Sequence, residues 1–280
     1  MTSRKQLVVN ADDFGFTEDV NEGIVQAHRE GILTATTLMA NGAAFDDAVR
    51  LAGRHPSLDV GCHLVLVGGR SAITGHPFPL TVSELLLAIA KRQIRIYDEL
   101  AAQVRKIVAA GLSPTHLDTH KHTHLAPPVL EAVARIAEEF GIRWVRRPFD
   151  FPMTTTAPFL KRATSRAFGL VRRRFHRTLE RHHCRTTDTF AGFQITGRFR
   201  TGELVNLIHQ LPDGLTELMC HPGYCREQLR QARTRLKESR EEELAALTAP
   251  ETRQALKQCG VELVSFFPDR QGSLVPPIIP

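Results

Sequence analysis

Short apolar runs alternate with stretches of helical spacing along most of the chain. Residues 6–10 form an apolar run of strand length. Residues 17–30 follow with Val20, Ile24 and Ala27 at helical spacing and stop at Gly31, a residue suited to a helix C-terminus. β-Branched residues over 34–40 predict a second strand, 45–54 a helix and 59–65 a third strand. A loop at 68–80 contains Gly and Pro, and helical runs at 83–92 and 97–110 follow. Strand four is predicted over 115–120. Pro127 and Pro128 stand where the next helix should begin, because proline suits a first turn. That helix runs to Phe140, and strand five covers 143–146. Further strands are predicted at 187–193 and 216–220, with helices at 203–210 and 227–247.

This alternation argues for a mostly parallel sheet. A distorted (β/α) barrel spanning residues 1–280 as one domain is the expected architecture, with a doubly wound open sheet as the alternative. No apolar run reaches the roughly 18 residues of a membrane span. The apolar run at the N-terminus is too short for a secretory leader, so no export is expected. Cys62, Cys184, Cys220, Cys225 and Cys259 form no CxxC pair, which fits a reducing cytoplasm.

Polar residues gather where strands end, the place where loops converge in parallel α/β folds. Asp12 and Asp13 close the first strand. On a regular strand they would point opposite ways, but a break at Gly15 would let both approach one site. A helix cap plus a solvated acid is the plainer reading. His63 ends the third strand, and His221 precedes a Pro-Gly turn after another. Alone, each could be a rim histidine. Cys220 reads as strand packing rather than a nucleophile. His116, Asp118, His120, His122 and His124 share one parity, so an extended chain would project all five from one face. Four imidazoles and a carboxylate make a poor core unless a cation partners them. Two histidines and a carboxylate with open positions can hold a catalytic metal. A second carboxylate can act as base and a separate histidine as acid.

With these residues in view, the chain resembles the YdjC-like (ChbG-like) carbohydrate deacetylases, relatives of the NodB-type barrel. The likeness rests on NADDFG at 10–15, TATTLMANG at 34–42, PSLDVGCHL at 56–64, PTHLDTHKHTH at 114–124 and CHPG at 220–223. Within the family it leans towards the hopanoid-biosynthesis (HpnK) branch. The resemblance implies one divalent metal ion, Mg²⁺ or Zn²⁺, on Asp13, His63 and His120. It implies Asp12 as general base and His221 as leaving-group acid, with His122 and His124 lining the substrate site or supporting the ligands. The implied reaction is N-deacetylation of an amino sugar, in the HpnK branch a hopanoid-linked N-acetylglucosamine. Soluble chitooligosaccharides are the alternative substrate. Hydrolysis of another bond, such as a phosphoester or glycoside, and a non-catalytic sugar- or lipid-binding module are the competing functions.

Charge changes the picture in one segment. Residues 157–185 hold nine Lys or Arg against Glu180 alone, eight net positive charges where the whole chain carries six. The high pI therefore belongs to one basic helical insertion. Phe159, Leu160, Ala163, Ala167, Leu170, Val171 and Phe175 lie among the arginines at near-helical spacing. Such a helix could rest peripherally on an anionic membrane, at the inner face of the cell membrane, or pack its apolar face on the barrel. The expected partners are a small-molecule or glycolipid substrate and that surface, and a homodimer is admissible. Nucleic acid is not expected, because no recognised binding motif is present.

Overall fold

The computed structural model describes residues 4–267; the remaining ends of the sequence-read domain lie outside the described residues. The first strand, β1 (Lys5–Phe14), is the centre of the sheet. Its residues from Leu7 onwards are buried, as expected for a parallel strand covered on both faces. Helix α1 (Glu18–Glu30) follows, with the Thr17 hydroxyl accepting from the Val20 amide and two acids in its first turn. Then come β2 (Ala35–Leu38), α2 (Phe45–Arg54), β3 (Asp59–Leu64), α3 (Val82–Ala90) and α4 (Ile96–Ala109).

The chain continues through β4 (His116–Thr119), a 3-10 turn (His120–Leu125), α5 (Pro127–Glu139) and β5 (Trp144–Val145). The basic segment forms α6 (Phe159–Phe168), one 3-10 turn and α7 (Arg172–Arg181). It leads to β6 (Thr189–Ala191), α8 (Thr201–His209) and β7 (Gly214–Cys220). The last elements are α9 (Glu227–Gln231), α10 (Ser239–Thr248), α11 (Pro250–Gln258) and β8 (Val261–Leu263).

All strand pairs are parallel, in the order β5-β4-β3-β2-β1-β7-β6. Lone bridges between Trp144 and Arg185 and between Asp150 and Phe190 bring the two outer edges together. The strands thus run round the circuit in chain order, which is barrel topology and rules out the doubly wound alternative. The barrel is distorted because β8 pairs only with Lys5–Leu7 of β1, on the edge that β2 takes over from Asn10.

Two sequence expectations are corrected. The helix read over 227–247 is two helices, α9 and α10. Between them the Thr234 hydroxyl accepts from the Leu236 amide, a local bond that competes with the helix ladder. The run from His116 to His124 does not stay extended. It leaves the strand after Thr119, and Lys121 and His122 adopt φ of 55° and 51°.

Candidate active site

β1 runs beyond the predicted 6–10 and stops at Phe14, just before the expected break at Gly15. Its register against β2 shifts between Ala11 and Phe14, and Asp13 takes φ of 70°. A bulge followed by a left-handed residue turns both carboxylates into the barrel mouth, at a backbone cost of about 1–3 kcal/mol. The turn beyond is locked by close backbone contact. Ala44 N donates to Gly15 O, and a Cβ on Gly42 would lie 2.1 Å from that oxygen. Asn21, buried on α1, accepts from Gly15 N at 2.6 Å and donates to Ala44 O at 3.1 Å.

Three side chains from three elements meet there. His63 Nε2 lies 3.4 Å from Asp13 Oδ1 and 3.2 Å from His120 Nδ1, and His120 Nδ1 lies 3.3 Å from the same carboxylate oxygen. Asp13 Oδ1 is buried and has no hydrogen-bond donor of its own, while Oδ2 takes the Arg240 guanidinium. Asp118 accepts from His63 Nδ1 at 2.7 Å, which sets the tautomer of the neutral ring and turns Nε2 towards Asp13 and His120. Burial alone would raise the Asp13 carboxyl, but Arg240, His120 and His63 hold it well below the carboxylate range. Burial opposes charge on His63, yet Asp118, Asp12 and Asp13 push it up to about 9.

Asp12 belongs to a second cluster. Arg146, wholly buried at the end of β5, donates to Asp12 through both terminal nitrogens, at 2.8 and 2.7 Å. Its Nη1 also lies 2.5 Å from Asp118, and its Nε donates to Glu217 at 2.7 Å. Asn10 adds a donor to Asp12 at 3.1 Å. Burial raises the Asp12 carboxyl against the pull of Arg146, and burial pushes Glu217 up to about 7. Asp118, despite burial, is held far below the usual range by Arg146 and His63. Counting Asp13 and Arg240, four buried carboxyl groups face two guanidinium groups.

His221 follows β7. Its Nε2 lies 3.9 Å from Asp12 Oδ2 and its Nδ1 3.8 Å from Glu243 Oε2. Burial holds the ring well below its ordinary value, so it is neutral in the free protein. Its turn rests on α1, where a Cβ on Gly23 would lie 2.5 Å from Gly223 Cα. Cys220 is a buried thiol donating to Asn10 O, and burial keeps it protonated, in line with a packing role.

His122 and His124 separate. His122 stands among Phe190 and Phe193, with ring centroids at 6.0 and 5.9 Å and an unpartnered Nδ1. His124 does not line the site. It is fully buried, donates from Nε2 to Arg146 O at 3.0 Å, and accepts from the Thr119 hydroxyl at Nδ1. The left-handed turn at Lys121 and His122 is the reason, since it breaks the shared parity and turns the last imidazole inward. It holds the backbone of the arginine that grips Asp12.

Arg146, Glu217, Arg240 and Glu243 escaped the sequence reading. Arg146 follows a two-residue strand, and its only signal was a charged residue at the end of the predicted run 143–146. Arg240 and Glu243 lie within 227–247, predicted as one long helix. Their spacing of three on the inner face of α10 could have marked them.

The donor set suits a divalent cation. One carboxylate oxygen and two imidazole nitrogens lie 3.2–3.4 Å apart, the spacing of neighbouring ligands around an ion with bonds of about 2.1 Å. The orphaned Asp13 Oδ1 points the same way.

A profile of the YdjC-like protein family matches residues 6–258. The chain belongs to the YdjC-like family. A carbohydrate deacetylase of Brevibacillus brevis is 36% identical over 270 residues, covering 93% of this chain and 98% of the relative. A carbohydrate deacetylase of Geobacillus stearothermophilus is 34% identical, with 94% and 97% covered. Among solved structures, one from Enterococcus faecalis, given the provisional description of a cellobiose-phosphate cleavage protein, superposes with a TM-score of 0.73. It is 22% identical, with 94% of this chain and 98% of that one covered, and shows the shared fold.

Proposed function

We propose that this chain is a metal-dependent hydrolase that removes the acetyl group from an N-acetylated amino sugar, a non-peptide C–N bond. The observation that carries the reading is the convergence of Asp13, His63 and His120 beside Asp12. Deacetylase relatives matched over nearly their whole length support it. Within the class, the motif set resembles the hopanoid-biosynthesis branch, and we read the substrate as a hopanoid-linked N-acetylglucosamine.

Asp13, His63 and His120 would hold the cation. When bound, a divalent ion supplies Lewis acidity, polarising the amide carbonyl and making water a nucleophile near neutral pH. Asp12, kept basic by burial and aimed by Arg146 and Asn10, takes the proton of the attacking water. The proton that Asp12 takes passes to the neutral His221, whose Nε2 lies 3.9 Å from Asp12 Oδ2, and His221 delivers it to the departing amine nitrogen, with Glu243 behind it. His122, with Phe190 and Phe193, forms the wall against which the acyl group or sugar rests.

The test is acetate release from N-acetylglucosaminyl lipid and from chitooligosaccharides, with Zn²⁺ or Mg²⁺ and after chelation. Turnover that needs metal, and falls about 10²–10⁴-fold in Asp12→Asn while bound metal remains, is the expected result. Release from neither substrate class under any divalent ion would end the reading.

A further inference from the structure

Helix α6 is mounted the wrong way round for a helix that packs on a core. Its inner face is polar or aromatic. Ser165, buried, donates to Asp150 and accepts from Gln194. Lys161 Nζ donates to Thr196 O at 2.7 Å, and the Phe168 ring lies 4.8 Å from Phe193. The apolar stripe points outward. Phe159, Leu160 and Leu170 are 76%, 77% and 87% exposed, the highest values of any large hydrophobic residue among the described residues. Phe159, Ala163, Ala167 and Leu170 recur at helical spacing along this outer stripe, and Arg162 and Arg166 flank it.

Five of the arginines are also free of acidic partners. Arg172 lies over the Phe149 ring, and Arg181 pairs with Glu131. Arg162, Arg166, Arg173, Arg174 and Arg177 are exposed, with no carboxylate in ion-pair distance among the described residues. An exposed apolar stripe in a field of unpaired arginines complements a surface that is negative outside and apolar just beneath. An anionic phospholipid bilayer has that profile, whereas a soluble polyanion has no place for the phenyl and leucyl groups.

We propose that α6 and the turn after it dock on an anionic phospholipid membrane, with Phe159, Leu160 and Leu170 at the acyl boundary and Arg162, Arg166, Arg173 and Arg174 among the headgroup phosphates. Contact is peripheral, since among the described residues no helix is long and apolar enough to cross a membrane. The docked helix adjoins the candidate site, because Phe193 stands between Phe168 and His122, at 4.8 and 5.9 Å. Docking thus holds the His122 side of the barrel mouth about one helix diameter from the lipid surface.

The test is co-sedimentation of the full chain with phosphatidylcholine vesicles, with and without phosphatidylglycerol, at about 0.1 M salt. Binding only to the anionic vesicles, weakened by added salt, is expected. The combined variant Phe159→Ser, Leu160→Ser and Leu170→Ser, all at exposed positions, should lose about tenfold or more. Replacing Arg162, Arg166, Arg173 and Arg174 by Gln should lose about fivefold per charge. Absence of binding to anionic vesicles overturns the proposal. So does full binding by the apolar triple variant, or a DNA duplex that both proteins bind alike, since either assigns the arginines to a soluble polyanion. Sedimentation needs no turnover, so a chain inactive on every acetylated sugar that still binds vesicles overturns only the deacetylase reading.

Discussion

Arg146 grips Asp12 with both ends of its guanidinium, Nη1 to Oδ2 at 2.8 Å and Nη2 to Oδ1 at 2.7 Å. The pairing aims the carboxylate and shares its charge, so the two residues act as one unit. Arg146→Lys keeps the charge and loses the fork. Its kcat should fall about 10²-fold with KM little changed, because the base is misplaced rather than removed. Arg146→Met leaves three buried carboxylates without their cation and should cost about 3–5 kcal/mol in urea unfolding. Unchanged kcat in the Lys variant would count against the aiming role.

Asp118 touches His63 but contributes nothing to the three-atom cluster around Asp13. Its work is to hold the imidazole's tautomer and direction. Asp118→Asn should weaken Zn²⁺ binding about 10–100-fold, measured by calorimetric titration of the apoprotein. Equal affinity in both proteins would show that His63 is oriented by its packing alone.

His124 is buried as a neutral ring, its value pushed down to about 4 by burial against an ordinary 6.5. The unfolded chain therefore binds a proton that the folded chain refuses. This penalty is absent above about pH 6.5 and grows as pH falls towards 4, reaching about 3 kcal/mol below it. His124→Gln should reduce the loss of urea-unfolding stability between pH 7 and pH 4.5. An unaltered pH slope would mean that the ring is protonated in the fold.

Gly42 meets the carbonyl of Gly15 where a Cβ would come within 2.1 Å. The nearest atoms, Gly15 O and C and Phe16 N, all belong to the backbone, so no side chain can yield. Gly42→Ala should cost about 1–3 kcal/mol and, by shifting the turn that carries Asp13, weaken metal binding as well. A destabilised variant with undiminished metal affinity would separate the turn from the site.

The architecture was legible because parallel strands covered on both faces leave unbroken apolar runs, and because glycine and proline mark helix ends at Gly31 and Pro127. Asp12, Asp13, His63, His120 and His221 could be picked out because they end such runs. Their approach depended on features that residue order does not display, such as the bulge before Phe14 and the left-handed turn at Lys121 and His122. Periodicity carried too far put His124 on one face with His116, Asp118 and His120, from which the left-handed turn removes it. Arg146, Arg240 and Glu243 were hidden for a related reason. A buried cation looks like a surface residue until its carboxylate partners are known to surround it.

The two lone bridges that join the barrel's outer edges, Trp144 with Arg185 and Asp150 with Phe190, make a seam rather than a ladder. Few cooperative hydrogen bonds are at stake along it. Lengthening the chain between β5 and β6 disturbs no paired register, and the arginine-rich helices occupy that gap. The fold can thus acquire an accessory surface at its loosest joint while the strands bearing the acidic and imidazole groups keep their alignment.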